Sequence, residues 1–111
     1  MSDSREAEAL IVLTSASDAQ SAESLARGLI TRRVAACVNI VPQVRSIYHW
    51  QGEICDESEV LLLIKTTAEH YPSLEKALVE LHAYDVPEVV ALPASEIHGP
   101  YARWLREVLS G

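Results

Sequence analysis

The stretch LHAYDVPE, residues 81–88, gathers an imidazole (His82), a phenol (Tyr84) and two carboxylates (Asp85, Glu88) in one short run. Imidazole suits divalent transition metals, and an imidazole near a carboxylate is also the equipment of general acid–base catalysis. Each residue has a plainer use as well. His82 follows Leu81, the last residue of a helical apolar stripe, where it can bond the final carbonyls and complement the helix dipole. Asp85 suits the turn before Pro87, and Glu88 stands at the mouth of a strand, where it could also serve a pocket.

The rest of the chain adds little recognisable chemistry. His49, His70 and His98 fall in hairpin, turn and loop positions and share no i, i+4 spacing, so no zinc-binding helix motif forms. The two cysteines, Cys37 and Cys55, lack CxxC spacing and are too few for a disulfide framework. Cys37 lies in the apolar run VAACVNIV and reads as a small core hydrophobe, while Cys55 follows a turn and is expected to be exposed. There is no G-x-S-x-G, no phosphate-binding glycine loop and no nucleophile paired with a base, so an enzyme is not expected.

The elements that must hold these groups are legible from periodicity. ALIVL (9–13) is a short continuous apolar run suited to a strand covered on both faces. Ser17 with Gln20 has the pattern of a capping box, and Ala22, Leu25, Ala26, Leu29 and Ile30 line one face of a helix expected over 18–32. Residues 34–41 read as a strand that Pro42 interrupts at a bulge or edge, and alternation then carries on to Trp50. Gln51-Gly52 signals a tight turn into a second strand ending in VLLLIK (60–65), which makes a long hairpin.

Thr66 with Glu69 is a second capping-box pattern, followed by Tyr71, Leu74, Leu78 and Leu81 at helical spacing. Because Pro72 is comfortable only in a first turn, an irregular turn at 67–71 or a helix starting near Tyr71 is expected. EVVAL (88–92) is the fourth strand, and Gly99-Pro100 opens a last helix with a stripe of Tyr101, Trp104, Leu105, Val108 and Leu109. This order predicts an α+β, ferredoxin-like βαββαβ sandwich with a long central hairpin and an extra C-terminal helix. Residues 1–8 are expected to be flexible and 9–111 to form one domain. An open sheet face and a hairpin bearing Tyr48 and Trp50 predict an oligomer.

Composition narrows the function classes. A net charge of -7 and a sequence pI near 5.0 disfavour nucleic acid and anionic membranes as partners. The apolar runs are far short of a membrane span, and MSDSREAEA has no apolar signal core, so a cytoplasmic protein is expected.

At AACVNIVPQVRSIYHWQGEI, EVLLLIKT, LHAYDVPEVVALP and YARWL the sequence resembles the divalent-cation tolerance, CutA-type family, from about Ala9 to Leu109. The resemblance implies a tight homotrimer whose hairpins exchange strands between neighbours. It also implies a role in the response to divalent metals, with copper binding in some members. Those members place a cysteine at the end of the first strand and a histidine pair before Pro-Tyr. Here Thr14 stands at the cysteine position, Leu81 and His82 at the pair, and Ala83 at the proline. Neither a hydroxyl nor a leucine replaces thiolate or imidazole for copper. His82, with Glu88, is what remains as a candidate for copper or another divalent metal. Tyr48, Trp50, Lys65 and Tyr84 match the family pattern and group with His82 and Glu88 around a cleft between subunits, with Cys37 in the same pocket and interface set. A second reading is a sensor like the trimeric PII proteins, binding a small molecule or a protein in those clefts.

Overall fold

The computed structural model describes residues 8–111, so the expected flexible segment 1–8 lies, apart from Glu8, outside the described residues. The elements run β1 (Ala9–Ala16), α1 (Ala19–Thr31), β2 (Cys37–Trp50), β3 (Glu53–Thr67), α2 (Tyr71–Leu81), β4 (Val90–Pro93) and α3 (Gly99–Ser110). The four strands form one sheet in the order β2-β3-β1-β4, and every neighbouring pair is antiparallel. This is the expected α+β, ferredoxin-like arrangement.

One face of the sheet is sealed by two helices. Val12, Thr14 and Ala16 of β1 lie opposite Ile64, Leu62 and Val60 of β3, and all six are buried. Against them pack Ala22, Leu25, Ala26 and Leu29 of α1 and Leu74, Ala77 and Leu78 of α2. A large apolar side chain buried in such a core contributes about 1.5–3 kcal/mol by leaving water. The alternate residues, Ile11, Leu13, Ser15, Leu61, Leu63 and Lys65, belong to the opposite face. That face is not bare. Leu105 and Leu109 of α3 are buried outside the helix-face cluster, α3 touches β3, and Tyr101 lies beside Cys37, which shares the face of Lys65. Tyr101 and Trp104 stay partly exposed and pair with each other, ring centroids 5.4 Å apart.

Several local expectations shift. The cap of α1 is Asp18, not Ser17: its carboxylate accepts the Ser21 N–H at 2.7 Å. Thr66 does not cap α2, because β3 runs on to Thr67 and the buried Thr66 hydroxyl donates to the Val34 carbonyl at 2.8 Å. The next turn is closed instead by Thr67, whose hydroxyl accepts the His70 N–H, and α2 starts at Tyr71 with Pro72 in its first turn. The strand expected from Val34 begins at Cys37, since Arg33 is left-handed (φ 57°) and Val34 and Ala35 are core residues of the connection. Cys55 is half-buried rather than exposed.

The hairpin is as long as its sequence implies. Register slips between Val41 and Val44, with Gln43 at φ 63°, so Pro42 sits in a bulge where no ladder hydrogen bond is asked of it. At the tip Gln51 and Gly52 both have positive φ, 50° and 81°, which gives the twist a two-residue hairpin needs.

Candidate functional site

The groups that could do chemistry meet at one end of the sheet. Ser15 is on the open face of β1 opposite Leu61, and Glu59, two residues earlier on β3, shares that face. Beyond the bulge Val44, Ser46 and Tyr48 lie opposite Glu59, Glu57 and Cys55, so Tyr48 and both glutamates project from the same side. The loop after α2 brings His82 and Tyr84 over this edge. Its start is held by the His82 N–H, which donates to the Leu78 carbonyl at 2.9 Å.

The contacts close on themselves. The Tyr84 hydroxyl donates to Glu59 Oε2 at 2.7 Å, and the Ser15 hydroxyl reaches the same oxygen at 3.4 Å. The Tyr84 backbone N–H donates to His82 Nδ1 at 3.0 Å, while His82 Nε2 lies 2.7 Å from the Ser15 carbonyl oxygen. The two rings lie 4.6 Å apart and tilted by 46°. A circuit therefore runs Ser15, His82, Tyr84, Glu59 and back to Ser15, and Glu59 is only 8% exposed. Beside it the Tyr48 hydroxyl donates to Glu57 Oε1 at 2.5 Å.

Both phenols ionise above the ordinary tyrosine value, for different leading reasons. Tyr48 is pushed up to about 12, first by the hydrogen bond to Glu57, then by desolvation, then by the charges of Glu57, Cys55 and Glu59. Tyr84 is held above the ordinary tyrosine value first by burial, then by its bond to Glu59 and the charges of Glu59, Glu57 and Tyr48. The two tyrosine–glutamate pairs thus sense one another.

Other candidates are elsewhere in the chain. Lys65 is six residues along β3 from Glu59, roughly 20 Å at strand rise, and its ammonium donates to the Asn39 side-chain oxygen. Cys37 sits opposite Lys65. Trp50 pairs with Glu53 at the hairpin tip, again roughly 20 Å from Glu59. Glu88 is exposed before β4 and takes no part in the circuit. One chain thus assembles His82 and Tyr84, with Tyr48 next to them, and leaves Cys37, Lys65, Trp50 and Glu88 apart.

Sequence reading missed Ser15, Glu57 and Glu59. The available signal was the period-two placement of Glu57, Glu59 and Leu61 inside what reads as a charged lead-in to a strand.

The ligand set implied for copper does not fit this arrangement. Thr14 points into the core on the helix face, fully buried, and its hydroxyl has no partner among the described residues. Both ring nitrogens of His82 are engaged, and among the described residues no cluster of three or more His, Cys, Asp or Glu could hold a metal ion. The orphaned Thr14 hydroxyl carries a desolvation cost, so Thr14→Val, which keeps the shape and removes the hydroxyl, is expected to raise stability by about 1 kcal/mol in a urea titration.

Next to the circuit, a groove of about 310 Å³ separates Ser17 and the first turns of α1, with Gln20, Ser21 and Ser24, from the His82 and Tyr84 loop. It opens to solvent and mixes hydroxyl, amide and aliphatic walls.

Comparison with known proteins places the molecule. Residues 10–108 match the family described as CutA1 divalent ion tolerance protein. The chain is 47% identical over 97 residues to the divalent-cation tolerance protein CutA of Thermus thermophilus, covering 87% of this chain and 94% of that one. It is 39% identical over 109 residues to the CutA of Pectobacterium atrosepticum, covering 98% and 99% of the two chains. The solved divalent cation tolerance protein of Thermus thermophilus superposes with a TM-score of 0.86 at 46% identity, over 89% of this chain and 96% of that one. With sequence and fold agreeing over nearly all of its length, the chain belongs to the CutA1 divalent ion tolerance family.

Proposed function

We propose that this chain acts in the response to divalent cations as a non-catalytic cytoplasmic homotrimer that meets metal ions weakly and has no high-affinity centre of its own. The observation that carries the reading is the family match across residues 10–108, to relatives named for divalent-cation tolerance. The site geometry supports its weak-binding half: the imidazole nearest to a ligand role is already committed, and the net charge of -7 attracts cations diffusely.

Assembly is supported by the hairpin. A two-stranded ribbon is marginal alone in water, and this one presents Ile54, 71% exposed, and Trp50, 47% exposed, beside Ile47 and Tyr48. Packing against neighbouring copies would cover them. The free thiols Cys37 and Cys55 suit a reducing compartment.

Calorimetric titration with copper(II) tests the metal reading. Small heats fitting a micromolar or weaker constant are expected, and a stoichiometric submicromolar isotherm would contradict it. Sedimentation of the dilute protein tests assembly, with a single monomeric species as the adverse result.

The groove beside Tyr84 favours a second reading, a PII-like sensor holding a small molecule in a cleft. A rise in melting temperature with nucleotides or organic anions, absent with metals, would select it over the first.

A further inference from the structure

We propose that His82 is a positioning residue and not a metal ligand: its imidazole, held as the neutral Nε2–H tautomer, clamps the loop after α2 onto β1 and so sets Tyr84 over Glu59. Donors and acceptors around the ring leave one assignment. A backbone N–H can only donate, so the Tyr84 N–H at 3.0 Å requires a bare lone pair on Nδ1. A backbone carbonyl can only accept, so the Ser15 oxygen at 2.7 Å requires the proton on Nε2. An Nδ1–H tautomer would set donor against donor on one side and acceptor against acceptor on the other. The doubly protonated ring would still lose the Tyr84 bond.

A cation can bind His82 only by displacing one of these partners. Taking Nδ1 strips the Tyr84 N–H of its acceptor, and taking Nε2 detaches the loop from β1. Either change undoes the placement of the Tyr84 hydroxyl at 2.7 Å from the nearly buried Glu59 carboxylate. The neighbours reinforce the clamp. Leu81 and Ala83 flank His82 in the chain and supply no second ligand, and the acid of the circuit, Glu59, is occupied by Tyr84 and Ser15. The clamp does not depend on whether metal meets the protein elsewhere, so it can fail or hold separately from the weak-binding reading.

The test is a long-range nitrogen–proton NMR spectrum of the folded protein labelled with ¹⁵N-histidine, with His82 assigned by a His82→Asn variant. At neutral pH His82 should show a protonated Nε2 and a bare Nδ1, and equimolar zinc, a diamagnetic divalent probe, should leave both signals in place. An Nδ1–H tautomer, or a zinc-induced shift at either nitrogen of His82, overturns the proposal.

A second readout follows the phenol ionisation of Tyr84 in protein carrying ¹³C at tyrosine Cζ, assigned with Tyr84→Phe. His82→Ala should lower it by about one pH unit as the ring leaves Glu59. His82→Asn, whose side-chain oxygen replaces Nδ1, and His82→Gln, whose amide nitrogen reaches the place of Nε2, should each restore part of that shift. No change in Tyr84 on His82→Ala would show that the clamp positions nothing. If the alanine variant does not fold, the wild-type tautomer and the zinc titration still decide the matter.

Discussion

Leu78→Ala is expected to lower unfolding free energy by about 2–5 kcal/mol, measured by urea denaturation at fixed protein concentration. Leu78 is fully buried and belongs to the cluster in which α2 meets β1, β3 and α1. Truncation removes its transfer energy and leaves a cavity that helices pinned to a four-stranded sheet cannot fully close. The neighbouring Val79 is 51% exposed, so Val79→Ala should stay within about 0.5 kcal/mol. That contrast separates loss of packing from any general weakening of the helix. Similar losses for the two variants would show that α2 is not seated as described. The site should feel the change too, since the Leu78 carbonyl accepts the first N–H of the loop that carries His82 and Tyr84.

Tyr84→Phe should cost about 1–3 kcal/mol. The phenol is the short-range donor to Glu59, and the Ser15 hydroxyl, at 3.4 Å, is the donor that remains. Because Glu59 is almost shut off from water, its carboxylate is left with poor compensation. Tyr48→Phe provides the comparison. It deletes a shorter bond, 2.5 Å, but to the exposed Glu57, where water takes over, so its loss should be clearly smaller than that of Tyr84→Phe. If Tyr48→Phe proved the costlier change, burial of Glu59 would not be what gives the network its strength. A cycle of Tyr84→Phe with Glu59→Gln measures the coupling directly.

The pH dependence has a definite sign. Tyr84 has a raised folded-state ionisation, so its contribution is fully present below the ordinary tyrosine value near 10. It is lost as pH climbs through the higher folded value, because the phenolate can no longer donate to Glu59. Wild-type stability should therefore fall on the alkaline side more than that of Tyr84→Phe.

Much of the fold was legible because it is written locally. Gly52 after Gln51 specifies a two-residue turn, Pro72 can sit only in a first helical turn, and the stripe Leu74, Leu78, Leu81 has helical spacing whatever surrounds it. The order of such elements left few topologies, and the observed sheet is the one expected. Helix starts were misread where serine, threonine and aspartate compete for a cap. Asp18 displaced Ser17, and Thr66 was drawn into the core by the Val34 carbonyl.

The site was legible only in part. By itself the sequence determined that His82 and Tyr84 would sit together at the end of α2, since they are two residues apart in the chain. Resemblance to the CutA-type family, and not the residues by themselves, implies that Thr14 and Leu81 stand at copper-ligand positions. Tertiary structure alone decided that Glu59 lies under Tyr84, that the Ser15 carbonyl takes the second nitrogen of His82, and that Thr14 faces the core. These contacts join residues 25 and 67 positions apart. Alternation along a strand shows which side chains share a face, but not which face is covered or which residue lies opposite. Those are set by the register of β1, β2 and β3 and by the bulge at Pro42, and that pairing converts His82 from a candidate ligand into a clamp.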